Sequence, residues 1–164
     1  MDNTGDRLFE VPYPIRNDII MPAGQPVRSS FVNAQNSIPT GLMEAMRLAS
    51  VSPDEIDVYG GFRARVTSLT GEDFGEIERI ELRACPVGSA NGCSRTTDIM
   101  FSQSDLFRRR QQTIDLSPGL VNFKDLFLGN DNVRIELIFF PGITTSRTIE
   151  ARLEWSGVAF GNIE

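Results

Sequence analysis

The sequence contains no histidine. That absence removes the side chain most often used as a general base near neutral pH, the base of hydroxyl-nucleophile triads and the commonest zinc ligand. Lysine is almost absent as well. Of 16 basic residues Lys124 is the sole lysine and the rest are arginine, a skew that a GC-rich genome produces unaided and that implies no mechanism. A hydroxyl such as Thr144, Thr145, Ser146 or Ser156 therefore lacks the His, Lys or terminal amine that would activate it. Two cysteines and no histidine fall short of the usual four-ligand zinc set and argue against such a site. No apolar run reaches the length of a membrane span, and no signal-peptide core follows Met1. Residues 1–6 read as a flexible polar tail.

What is present describes one globular domain across 1–164. Hydrophobic residues make up 40% and charged residues 23%, the balance of a folded chain. A formal net charge of -6 opposes nucleic-acid binding, which needs surplus cations. Strand signals dominate. Leu8 to Ile15 alternates, with Pro12 and Pro14 on the opposite phase, which predicts an edge strand. Ile19–Ala23 and Val27–Val32 predict two short strands. Phe62, Ala64 and Val66 alternate with Arg63, Arg65 and Thr67. Ile80, Leu82 and Ala84 alternate with Arg79, Glu81 and Arg83, predicting a strand antiparallel to the previous one. Short runs at Thr97–Phe101 and Thr113–Leu116 follow. Val133 to Phe140 is the most apolar strand and belongs in a central position, and Thr148 to Phe160 closes the pattern with a bulge expected at Gly157.

Helical spacing is confined to Ile38–Ala49, where Leu42, Ala45, Met46 and Ala49 form a stripe, and to Asn122–Leu128 with Asn122 as N-cap. Ser52-Pro53-Asp54-Glu55 reads as a capped helical turn. Because helices do not alternate with the strands, the expected fold is mainly β: an antiparallel Greek-key β-sandwich with one or two short helices.

Cys85 and Cys93 bracket a loop rich in turn residues (Pro86, Gly88, Asn91, Gly92), and the spacing predicts a disulfide that stabilises the fold by roughly 2–3 kcal/mol. A disulfide implies an exported protein, so this chain is expected to be a processed form carrying an added initiator Met. Arg108, Arg109 and Arg110 form the densest charge: a patch for an anionic partner, or a solvated edge that resists strand pairing. Asp73 and Asp131 sit in acidic turns with calcium-type donors but without the spacing of a dedicated loop; the same residues also suit turns for backbone reasons. Trp155 lies in phase with Ile149, Ala151 and Leu153 and should be buried, leaving Tyr13 and Tyr59 as candidate stacking residues.

The striped helix, Ser52-Pro-Asp-Glu-Ile56, the strands Phe62-Arg-Ala-Arg-Val-Thr-Ser-Leu69 and Ile77-Glu-Arg-Ile-Glu-Leu-Arg-Ala84, and the closing Ile149-Glu-Ala-Arg-Leu-Glu-Trp155 resemble a loose class of uncharacterised exported bacterial proteins, often lipoproteins. The resemblance covers roughly residues 38 to 160 and rests on patterns, not signatures. It implies a periplasmic, outer-membrane-associated or extracellular location and carries no catalytic residues, although the N-terminal lipidated cysteine of such proteins is missing.

Three functions fit. The first is a non-catalytic interaction or structural domain whose partner is a protein or glycan at the cell surface. The second is a carbohydrate-binding module with an exposed aromatic platform, and the third a glycan-active enzyme built on two carboxylates. The sequence calls for no cofactor. If Val133–Phe140 is central, Leu137→Ala should cost about 2–5 kcal/mol in chemical denaturation.

Overall fold

The computed structural model describes residues 5–162, the side chains of residues 14–18 excepted. Eight antiparallel strands form a single curled sheet, a half-barrel: β1 (Asp6–Met21), β2 (Phe31–Pro39), β3 (Val58–Ser68), β4 (Ile77–Pro86), β5 (Ile99–Gln103), β6 (Thr113–Pro118), β7 (Asn132–Pro141) and β8 (Ile149–Gly161). Their spatial order is β1-β8-β3-β6-β5-β4-β7-β2. The two halves of this order meet where β5 pairs with β6 through Phe101 opposite Pro118 and Ser102 opposite Ser117.

The concave side is the core. Tyr13, Tyr59, Val66, Leu153 and Trp155 from the first half pack in one apolar cluster with Ile80, Leu82, Val133, Leu137 and Phe139 from the second. Alternation explains the membership: every second residue of β3, β7 and β8 turns inward, as a strand with one buried face requires. The Val133 strand, expected at the centre, is an interior strand one place from the edge, held between β4 and the edge strand β2.

The long edge strand predicted at Leu8–Ile15 continues through Ile19–Met21 as one element, β1, whose register against β8 slips in three places. The slips let prolines interrupt a strand without ending it. Val27–Val32 is not a strand throughout, since β2 begins at Phe31. Helix α1 spans Leu42–Ala49, and Ile38 belongs to β2, where it is buried opposite Val133. Its apolar character serves the sheet rather than the helix. The Ser52 turn forms over Pro53–Glu55, with the Glu55 carboxylate accepting the Ser52 N–H at 3.0 Å. Helix α2 is Lys124–Leu128, and Asn122 Oδ1 accepts the Lys124 N–H at 3.0 Å, one residue earlier than a standard cap. Strands β3 and β4 do not pair. The segment between them crosses from one half of the sheet to the other, and each finds its neighbours there. Of the expected tail, residues 1–4 lie outside the described residues, and Asp6 already pairs with Gly161.

The core holds one polar relay. Tyr13 stacks on Trp155 with ring centroids 3.9 Å apart. Its hydroxyl donates to the Thr40 carbonyl at 3.0 Å and lies 2.7 Å from the Tyr59 hydroxyl. A phenol has one proton, so Tyr59 is the donor to Tyr13. Gly157 makes the relay possible, because a Cβ there would collide with the Tyr59 hydroxyl. The bulge expected at Gly157 falls instead on the facing strand, where Gly61 opposes Gly157 and Arg63 opposes Ser156, leaving Phe62 as the extra residue.

These two rings are the chain's only tyrosines. Burial, first of all, pushes both phenols well above their ordinary value; the Tyr59 charge raises Tyr13 further, while the hydrogen bond to Tyr13 partly offsets the rise at Tyr59. The unfolded chain ionises near pH 10 and the folded chain does not, so unfolding releases protons. Their contribution to stability is therefore intact below pH about 10 and falls above it, by about 1.4 kcal/mol per pH unit for each ring. Ultraviolet titration should show no phenolate absorbance from the folded protein at pH 10–11, with the full two-tyrosine signal appearing on denaturation.

Candidate functional site

Cys85 and Cys93 form a disulfide, with Cα atoms 5.3 Å apart. The loop closes through tight turns in which Ser89 N–H donates to Pro86 O and Gly92 N–H to Ser89 O, with Gly88 and Gly92 at positive φ. It folds back over the convex side of the second half. Cys93 N–H donates to Glu136 Oε2 at 3.2 Å, and a Cβ on Gly92 would lie 2.7 Å from that oxygen.

Beneath and beside the loop lie two buried carboxylates, Glu81 on β4 and Glu136 on β7. Glu81 bridges Arg79 and Arg83 at 2.6 Å each, and Glu136 pairs with Arg134 at 2.8 Å. Both glutamates are about 95% buried, being 5% and 4% exposed. The cations sit on the same strands two residues away or directly across, and their aliphatic stems cover the sheet. These are compensated charges inside a covered surface, not a cleft with an acid and a base.

The three arginines of the 108–110 run are exposed in the connection between β5 and β6, but they do not converge. The Arg108 guanidinium lies over the Phe107 ring, 5.1 Å from its centroid, the Arg110 stem passes Gly75, and Arg109 lines a 280 Å³ hollow with Gln103, Asp105 and Asp115. Arg108 and Arg110 adopt left-handed φ values of 66° and 56°. Asp73 Oδ1 accepts the Gly75 N–H at 2.8 Å, and the Asp131 carbonyl accepts the Thr40 N–H at 2.9 Å. Among the described residues one group of three has metal-ligating atoms close together, Cys85, Cys93 and Asp98, and its two sulfurs are bonded to each other.

A concavity of 690 Å³ lies on the convex side of the first half. Its walls are Phe62, Arg63, Arg65, Asp115, Glu154 and Ser156, floored by the sheet over Trp155. The β3 bulge builds it: the extra residue sets the half-buried Phe62 ring at one end, with the Arg63 guanidinium 4.7 Å and the Arg7 guanidinium 5.4 Å from its centroid. Arg65 Nε donates to Asp115 Oδ1 at 2.8 Å, and this hydrogen bond, then the charges of Asp115 and Glu154, raises the guanidinium above its ordinary value. Ser156 is 5% exposed, and its Oγ has no hydrogen-bond partner. Among the described residues the one other buried side-chain atom in that condition is Arg152 Nε, four residues along the same strand and on the same side of the sheet. Asp115 belongs both to this groove and to the Arg109 hollow, so the two adjoin along β6.

The cations of the groove are guanidiniums, which stay protonated and cannot serve as bases, and its carboxylates, Asp115 and Glu154, are exposed. Tyr13 and Tyr59 are not stacking residues, being buried in the core with Trp155, and among the described residues no aromatic ring is exposed. The alternation of Arg63 and Arg65 marked this face as polar, but the groove depends on the Phe62 bulge, which only the preceding Gly60-Gly61 signals.

No helix among the described residues is long and apolar enough to cross a membrane. Neither a protein-family model nor a curated protein matches the chain. Replacing Glu81 by Ala removes the buried carboxylate that Arg79 and Arg83 share and should cost about 3–5 kcal/mol in denaturant unfolding.

Proposed function

We propose that the protein is a non-catalytic binding domain of the exported class, which holds an extended, acceptor-rich chain such as a cell-surface glycan along the convex face of β8, β3 and β6. The observation that carries this is the 690 Å³ groove on that face, walled by the Phe62 ring and by the exposed guanidiniums of Arg63 and Arg65. The Arg63 guanidinium, stacked on Phe62, and Arg109 in the adjoining hollow extend the row of donors beyond one sugar ring.

The disulfide supports a location outside the cytoplasm. The strand order supports the Greek-key reading of the fold. Strands β1, β8, β3 and β6 form one group and β5, β4, β7 and β2 the other, an arrangement in which two Greek keys wind an eight-stranded jelly roll. The glycan-enzyme reading is less favoured, because Arg65 stands between the exposed Asp115 and Glu154 and neither carboxylate lies in a closed site.

The test is a titration with soluble oligosaccharides of neutral, uronic-acid and sulfated types, read by Trp155 fluorescence and by amide shifts. Arg63→Ser combined with Arg65→Ser should weaken binding at least about tenfold with an unchanged thermal midpoint. Shifts that avoid the groove, or binding that the double substitution leaves intact, reject the assignment.

A further inference from the structure

The curled sheet has two free edges, β1 and β2, and they are built differently. Along β1, Pro12 and Pro14 offer no N–H, the register slips three times, and α1 lies against Phe9–Pro12. Each of these keeps another strand from adding there. Over Phe31–Gln35, β2 has none of them. The five residues carry no charge and no proline, and they pair with β7 without a slip. Val32 is 43% exposed and Ala34 is exposed beside it, both on the convex face. With β7 on one side only, the alternate N–H and C=O groups of this stretch face outward from the sheet.

We propose that β2 pairs edge to edge with β2 of a second copy of this chain, antiparallel about a two-fold axis. An isologous contact requires a strand that tolerates its own sequence, and a charge-free strand brings no like charges together. Centred on Asn33, the pairing sets Val32 against Ala34 of the other copy and one carboxamide against its twin, each supplying a donor and an acceptor. The asymmetry of the edges fixes the size of the assembly. Since β1 accepts no strand, pairing ends at two chains and does not propagate as a fibre.

Sedimentation velocity of the full chain at micromolar concentrations should show a species of twice the 18.2 kDa chain mass. Hydrogen exchange should show amide protection over Val32–Gln35 that rises with concentration. Val32→Lys with Ala34→Lys, both on exposed positions, sets lysine against lysine across the axis and should raise the dissociation constant at least about tenfold. Leu69→Lys with Leu120→Lys adds the same charge at other exposed sites and should leave the dimer intact. A chain that stays monomeric throughout overturns the proposal. So does a dimer without added protection at β2, a dimer indifferent to the edge lysines, or protection that appears only with an unrelated extended peptide.

Discussion

The bend between the two halves of the sheet rests on Phe101. It is fully buried where β5 and β6 pair through two residues, its ring set edge-on to Trp155 with centroids 6.4 Å apart. The close approach requires Gly61, since a Cβ at that position would come within 2.5 Å of the Phe101 ring. A flat sheet of this sequence would expose both apolar faces of its halves; with the bend, they cover each other. The outward positions of β3 and β8, and with them the groove, are what remains on the far side of that choice.

The two convex faces show how one sequence pattern leads to two physical outcomes. Arg63 and Arg65 alternate with apolar residues much as Arg79, Glu81 and Arg83 do. In the first half the alternating charges reach solvent and border an open groove. In the second, the disulfide loop and arginine stems close over them, and the charges pair among themselves. Period-two alternation states which side of a sheet a residue takes; it is silent on whether a loop later covers that side. The disulfide was legible, because two cysteines and a turn-rich spacer leave little else to join. That its loop packs against Glu136 was not.

Strand phases were likewise readable for β3, β7 and β8, where one face is buried along the whole length. Pairing was harder. β3 and β4 follow each other through a short turn-like segment, the usual signal of a hairpin, yet each is claimed by a distant strand with a larger apolar face to match. Ile38 read as the first residue of a helix because apolar spacing alone cannot tell a strand end from a helix start. At the groove, the composition of the walls was visible in sequence while its depth came from a single inserted residue, Phe62.

The place of β8 between β1 and β3 also governs how the chain reaches this structure. The first half cannot assemble from early residues, because its central strand comes from the far end of the sequence. Contacts of such large sequence separation incur loop-closure entropy before any burial compensates, which slows folding. A chain emerging in order from a ribosome or a translocation pore would hold β1 and β3 without the strand that joins them. Until β8 joins them, the first half stays open, and this part of the chain commits to its fold only after β8 has been made.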